Sequence, residues 1–540
     1  MVKAVAFLFI YFLLPNVNFA QAKISVSNVW VSDNGNGTYK NPIINADYSD
    51  PDVIRVGNDF YMISSSFNAV PGIPILHSTD LVNWMIIGHA LPKLLPEADF
   101  NTVQHGNGVW APSIRYHNKT FYIFYPDPDR GIFLLKSNNI KGPWSAPILV
   151  EAGKGLIDPC PLWDDNGKVY LVHAYAGSRA GFKSIIVIKE MNSNADKTIS
   201  DAVMVYDGHE KDPTVEGPKL YKRNNYYYIF APAGGVSTGW QLVLRSKNIY
   251  GPYERKVVMA QGKSSINGPH QGAWVTTQGG EDWFLFFQDK DAYGRVVHLQ
   301  PIIWKNDWPV IGSDFDGDGT GEPVMAFKKP NLKTSSVITP QESDEFNSPE
   351  RGLQWQWQAN PRSGWAFLTP NGFLRMFCMR QEDDEQNKWM MPNFIFQKLP
   401  AEEFTSTAKI SFHPHNINDR AALMLFGLDY AYISIVKKDS GVFIEYNQCL
   451  LAEKGKSETT QFITKANGEN IIFRITVMAN AESYFSFSKD DGKTFTRVPG
   501  IFKAKPGKWV GAKIGLFCSS AVKANDAGYA DIDWFRIEKI

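Results

Sequence analysis

One short frame recurs five times between residues 40 and 325: an apolar segment, a polar turn, then an aromatic-rich run. The copies are SDPDVIR before DFYMISSS, WAPSIRY before TFYIFYP, IDPCPLW before KVYLVHA, VEGPKLY before YYYIFAP, and HQGAWV before DWFLFFQ. They stand roughly 50–60 residues apart, a period that fits the blades of a β-propeller. Polar turns closed by an aromatic also repeat, at residues 78–84, 137–144 and 246–253, and helical periodicity is almost absent. This is the pattern of strand–turn–strand units. In a propeller the innermost strand of every blade lines one central channel. Residues at one point of the frame therefore converge at one end of the axis. Three of the five copies carry an acid near that point: Asp50, Asp158 and Glu216.

Charge narrows the partners. Lys+Arg and Asp+Glu each number 55, with no basic stripe or acidic tail. Nucleic acid and polyanionic substrates are not expected. Aromatic residues make up 14% of the chain, which suits strand cores and, collectively, stacking on sugar rings. The first residues read MVKAVAFLFIYFLLPNVNFAQAK, with Lys3 before an apolar stretch too short to span a bilayer and Ala20, Gln21 and Ala22 as a cleavage site. Residues 1–22 are thus expected to be a secretory leader, and the product exported to the periplasm or medium without a membrane anchor. Cys160, Cys378, Cys449 and Cys518 have no metal-ligand spacing. Cys160 is expected to be a free buried thiol, and the other three allow one disulfide at most.

The text changes after the fifth copy. DFDGDGTGEP at 314–323 places Asp314, Asp316 and Asp318 at alternate positions, but the closing Glu and flanking helices of a calcium loop are missing, so a tight linker turn is expected. From about residue 335 strands alternate again. Phe473, Ile475 and Val477 share one face, YFSFSKDDGKTFTRV reads as a hairpin around Asp491 and Gly492, and the final ADIDWFRI sets Ile532 and Trp534 opposite Asp531 and Asp533. The expected architecture is all-β: a five-bladed propeller over residues 23–330 and a two-sheet sandwich over 335–540.

Carboxylates on different blades suit one chemistry in particular. Cleaving a glycoside with inversion takes one carboxyl to protonate the leaving oxygen and another, about 6.5–9.5 Å away, to activate water on the opposite face. A third acid beside the donor raises its proton affinity by like-charge repulsion.

The quoted frames, together with NPIINADYSDPDVIRVGNDFYMISSSF, HGNGVWAPSIRY and GPHQGAWV, resemble glycoside hydrolase family 43. SDEFNSPERGLQWQWQANP resembles the concanavalin A-like sandwich carried by its β-xylosidase and α-L-arabinofuranosidase members. The resemblance implies Asp50 as general base, Glu216 as general acid and Asp158 as the group that tunes and orients that acid. Asp52, two residues from Asp50, is the rival base. It also implies that His270 binds a calcium ion on the axis directly or through water, with a hydrogen-bonded core histidine as the alternative, and that Arg295 contacts the terminal sugar. Trp110 and Phe67 are candidate platforms for that sugar, with interblade packing as the alternative for Trp110. Trp365 is a candidate to reach the pocket from the sandwich, with the sandwich core as the more common place for such a tryptophan. The function implied is an inverting, exo-acting hydrolase of plant hemicellulose oligosaccharides or polysaccharides, with terminal α-L-arabinofuranose favoured. The alternatives are a β-D-xylosidase acting on xylo-oligosaccharides and a carbohydrate-binding protein without catalysis. A sucrose- or fructan-cleaving propeller lacks support, since no WMNDPNG-like start is present. Oligomeric state is not legible.

Overall fold

A computed structural model of the 540-residue chain describes residues 24–333, 335–380 and 386–540. The leader-like segment 1–22 lies outside the described residues. Five four-stranded antiparallel sheets follow one another in strict sequence order, over residues 52–91, 113–152, 156–207, 219–259 and 270–311. They are the blades of a β-propeller. Each frame supplies the inner strand and its neighbour: Lys219–Arg223 pairs with Tyr226–Ala233, and His270–Thr276 with Asp282–Asp289. The neighbours are apolar on both faces because each blade is packed on both sides. Tyr226–Ala233 is buried at seven of its eight positions, and Phe230 meets Phe284 of the next blade. Separate cores of this kind fill every gap in the ring. Ile63 and Ile123 meet between the first two blades, Phe124 and Leu171 between the next two, and Ile188 and Leu244 after them. Phe60 and Leu285 join the fifth blade to the first. A ribbon of Thr38–Lys40 with Ala326–Lys328 ties the two ends of the propeller together.

The linker loop is a turn held by its own carboxylates. Asp314 accepts from Gly317 N at 2.8 Å and from Lys305 Nζ at 2.9 Å, and Glu322 N returns to Ser313 O at 2.8 Å. Beyond it two sheets form a sandwich. One centres on Lys513–Ser520, Arg420–Phe426 and Tyr430–Lys438, the other on Tyr529–Glu538, Phe404–His413 and Asn470–Val477. Phe473, Ile475 and Val477 face its core as their alternation predicts. The last strand departs from its alternation. A bulge opposite Lys409 and Ile410 shifts the register, so Ile532, Phe535 and Ile537 enter the core and Trp534 turns outward. The hairpin at 482–497 exists, with both Asp491 and Gly492 at positive φ, but its connection is longer than two residues. All four cysteines are free and buried. No helix among the described residues is long and apolar enough to cross a membrane.

The two domains share one interior. Val103, Ala292 and Tyr293 of the propeller belong to the sandwich core cluster. Val70 exchanges both backbone hydrogen bonds with Trp357, and Asn360 satisfies both Leu94 N and Leu94 O through its side chain. His105 stacks on Trp389 at 3.7 Å. Residues 25–30 run along the entry to the sandwich: Ser25 bridges to Thr339, and Ser27 Oγ donates to Glu342 at 2.8 Å. A chain ending at Lys329 would expose all of these apolar contacts to water. It is expected to aggregate or to melt well below the full chain in calorimetry. A soluble fragment with an unchanged, cooperative transition would show that the sandwich is an independent appendage.

Candidate active site

Four of the five inner strands are entered through a left-handed residue. Asp50 (φ 55°), Asp158 (φ 58°), Gly217 (φ 60°) and Gln271 (φ 25°) occupy one equivalent position in their blades. Asp50, Asp158 and Gly217 each precede a proline there, as does Ala111 in the second blade. The kink points the residue at this position, or the one before it, along the axis. Asp50 and Asp158 share the first position. Glu216 stands one residue earlier, where the other blades carry Ser49, Trp110, Ile157 and His270. The backbone shows the equivalence: Trp110 N donates to Pro126 O and Glu216 N to Pro232 O, each at 3.1 Å. The three acids are therefore offset by one residue across the blades.

They meet in one cavity of about 280 Å³. Asp50, Asp158, Glu216, Trp110, Phe67, Arg295 and His270, all singled out in the sequence, line it together. Asp52 does not. It is fully buried, paired with Arg115 Nη1 at 2.7 Å and accepting from Ile114 N at 2.7 Å. Asp50 Oδ2 accepts from the hydroxyls of Ser49 and Ser65, and Arg295 Nη1 lies 3.7 Å from Oδ1. Asp158 is 4% exposed, with Gly217 N on Oδ2 at 2.8 Å and Gln271 Nε2 on Oδ1 at 3.2 Å. Burial, then the Glu216 charge, push the Asp158 carboxyl up to about 7 against the Gly217 hydrogen bond. Glu216 is the most open of the three, with its side chain 27% exposed.

His270 Nε2 meets Glu216 Oε1 at 2.9 Å, and its buried Nδ1 has no hydrogen-bond partner among the described residues. Calcium takes roughly six to eight oxygen ligands. Among the described residues, His270 belongs to no group of three His, Cys, Asp or Glu side chains that could share an ion; the one such group is Asp314, Asp316 and Asp318. One imidazole nitrogen does not fit a calcium cage built by the protein, and the chemistry visible at His270 is the hydrogen bond to Glu216.

The cavity walls are aromatic. Trp110 is fixed by its Nε1 on Gly106 O at 2.9 Å and by Arg179 5.4 Å from its ring centroid. Phe67 stands 6.2 Å from it, held by a two-way backbone pairing with Val109. Gly108 makes that pairing possible, since a Cβ there would fall 2.4 Å from Phe67 O. The third wall is Trp509 of the sandwich, 6.1 Å from Trp110. Trp365, the sandwich tryptophan named from the sequence, takes the core alternative: it is 3% exposed and packs on Trp357. Trp509 and Gln271 were missed. Trp509 lies in PGKWVGAK, a loop without strand pattern, whereas Gln271 follows His270 in the fifth frame and was findable from the repeat.

Asp158 gains its proton affinity on folding, so its contribution to stability has a definite sign. The unfolded carboxyl ionises near 4 and the folded one near 7, so the folded state loses stability as pH rises through that window. Asp158→Asn removes this liability. In urea titrations its stability relative to the parent should rise between pH 4 and pH 8. A difference that does not change with pH would mean that Asp158 is not held protonated.

Comparisons with known proteins place this chain among relatives. Residues 39–309 match the family described as Glycosyl hydrolases family 43, and residues 343–538 match the Beta xylosidase C-terminal Concanavalin A-like domain. A putative β-xylosidase of Xylanibacter ruminicola is 36% identical over 89% of this chain and 86% of its own. A non-reducing end α-L-arabinofuranosidase of Bacteroides ovatus is 29% identical over 92% and 94%. The crystal structure of a GH43 protein from Bacillus licheniformis superposes with a TM-score of 0.80 at 25% identity, covering 93% of this chain and all of that one.

Proposed function

The chain belongs to family 43 of the glycosyl hydrolases and is a glycoside hydrolase, and from that premise we propose that it releases single terminal pentoses from plant hemicellulose oligosaccharides with inversion, β-D-xylose before α-L-arabinofuranose. The observation that carries this reading is the convergence of three carboxyls from three blades on one cavity of about 280 Å³ with aromatic walls. That volume lies at the small end of ligand sites. It suits one sugar ring, walled by Phe67, Trp110 and Trp509. The order of substrates is weighted by the relatives. The sequence alone favoured arabinofuranose, but the 36% identical relative carries a β-xylosidase name and the sandwich matches a β-xylosidase domain. The arabinofuranosidase of Bacteroides ovatus keeps the second sugar in view. The leader-like start of the chain sets this activity outside the cytoplasm in the same proposal.

In this reading Glu216 gives its proton to the glycosidic oxygen as the bond to the anomeric carbon breaks. Asp50 takes a proton from the water that bonds to that carbon from the opposite face. The two serine hydroxyls occupy Oδ2 of Asp50 and leave Oδ1 to the water. Asp158 and Glu216 repel each other as anions, so the pair retains a proton, and it serves the reaction when that proton sits on Glu216. His270 fixes one oxygen of Glu216. Arg295 and the aromatic walls hold the ring. No step passes through a metal.

Two measurements check this. On xylobiose and on arabinose-substituted xylo-oligosaccharides, free xylose from the non-reducing end should dominate; release of arabinose alone would reverse the substrate order. Glu216→Ala should lower kcat/KM on xylobiose by about 10²–10⁴-fold. On an aryl xyloside, whose leaving group needs little protonation, the loss should be much smaller. Equal losses on both would remove Glu216 from the acid role.

A further inference from the structure

Asp47 is buried at the seam between the two domains, three residues before Asp50 and outside the sugar cavity. Its Oδ1 accepts from Arg295 N at 3.0 Å. Its Oδ2 accepts from Gly511 N at 2.9 Å and from Lys513 Nζ at 2.8 Å, both in the sandwich. Gly294 packs directly on this carboxylate, and Gly511 packs on Gly294 in turn. A Cβ at Gly294, where φ is +77°, would fall 2.5 Å from Asp47 Cγ, and one at Gly511 would fall 2.6 Å from Gly294 N. Against the desolvation of burial, Lys513 and Lys398 hold the Asp47 carboxyl well below the usual range. Lys398 itself is pushed down to about 7 by burial and by Lys513.

The bonds run to two pocket walls. Arg295, whose amide is held on one side, turns its guanidinium to Asp50. Gly511, held on the other, lies two residues beyond Trp509. We propose that Asp47 is a positioning residue for the sugar pocket: one carboxylate at the domain interface sets Arg295 of the propeller and the Trp509 loop of the sandwich in register with each other. This rests on the reading above that Arg295 and Trp509 contact the sugar.

Full-length Asp47→Asn keeps the size and one acceptor but loses the charge. On an aryl xyloside its kcat/KM should fall about ten- to a hundredfold, the scale at which misplaced binding groups act, and most of the fall should lie in KM. In a chain already carrying Arg295→Ala and Trp509→Ala, the same change should cost no more than about threefold, because residues that act as one unit are not additive. Lys513→Gln breaks the same contact from the sandwich side and should reproduce the KM rise if Asp47→Asn yields too little folded protein. An equal loss in both backgrounds, or an unchanged KM per folded molecule in both variants, would overturn the proposal. Arg295→Ala and Trp509→Ala that leave KM unchanged would instead overturn the reading of the walls, whatever Asp47→Asn does.

Discussion

The site depends on a backbone kink repeated at the mouth of the channel. A strand alternates its side chains between two faces, so a straight inner strand would aim its residues at the neighbouring blades. A left-handed residue before proline breaks the alternation and turns a carboxylate along the axis. At Asp50 and Asp158 that conformation costs about 1–3 kcal/mol each. The blades hold it in place: Gly217 N and Gln271 Nε2, from two other blades, satisfy Asp158, and Ser65 holds Asp50. Where the fourth blade places glycine at the kink, the acid moves one residue back to Glu216. The offset separates the roles, since it leaves Glu216 the more open and Asp158 enclosed beside it.

Burial then gives three similar acids different chemistry. Asp52 sits two residues from Asp50 yet is closed off by Arg115, as an ion pair inside the propeller. Asp158 is dehydrated next to another carboxyl and holds its proton up to about 7. The sandwich completes the arrangement. It contributes Trp509 to the wall, and through Gly511 and Lys513 it grips the carboxylate that also carries Arg295. The catalytic propeller and its partner domain thus share a pocket as well as a core.

Much of this was legible in the sequence because repetition carries geometric information. The five frames place residues on equivalent strands, and the closed ring brings equivalent residues to one axis. Asp50, Asp158, Glu216, Trp110 and His270 were all found in that way, and all line the cavity. The one-residue offset at Glu216 was not seen, although aligning the frames on the prolines that follow Asp50, Asp158 and Gly217 shows it. Trp509 was not seen because no repeat relates the sandwich to the propeller. Trp365 was the more conspicuous tryptophan, but its strand-flanking position buries it in the sandwich core. The outward turn of Trp534 had the same kind of cause, a bulge that strict alternation does not foresee.

In the proposed mechanism Asp50 and Glu216 work from opposite faces of the sugar with water as the attacking group. The anomer formed first reports on this directly. Proton NMR of an aryl β-D-xyloside hydrolysis, begun within seconds of mixing, should show α-xylose appearing first and relaxing later to the equilibrium mixture. β-Xylose as the first product would mean a covalent intermediate, and would contradict the roles given to both acids.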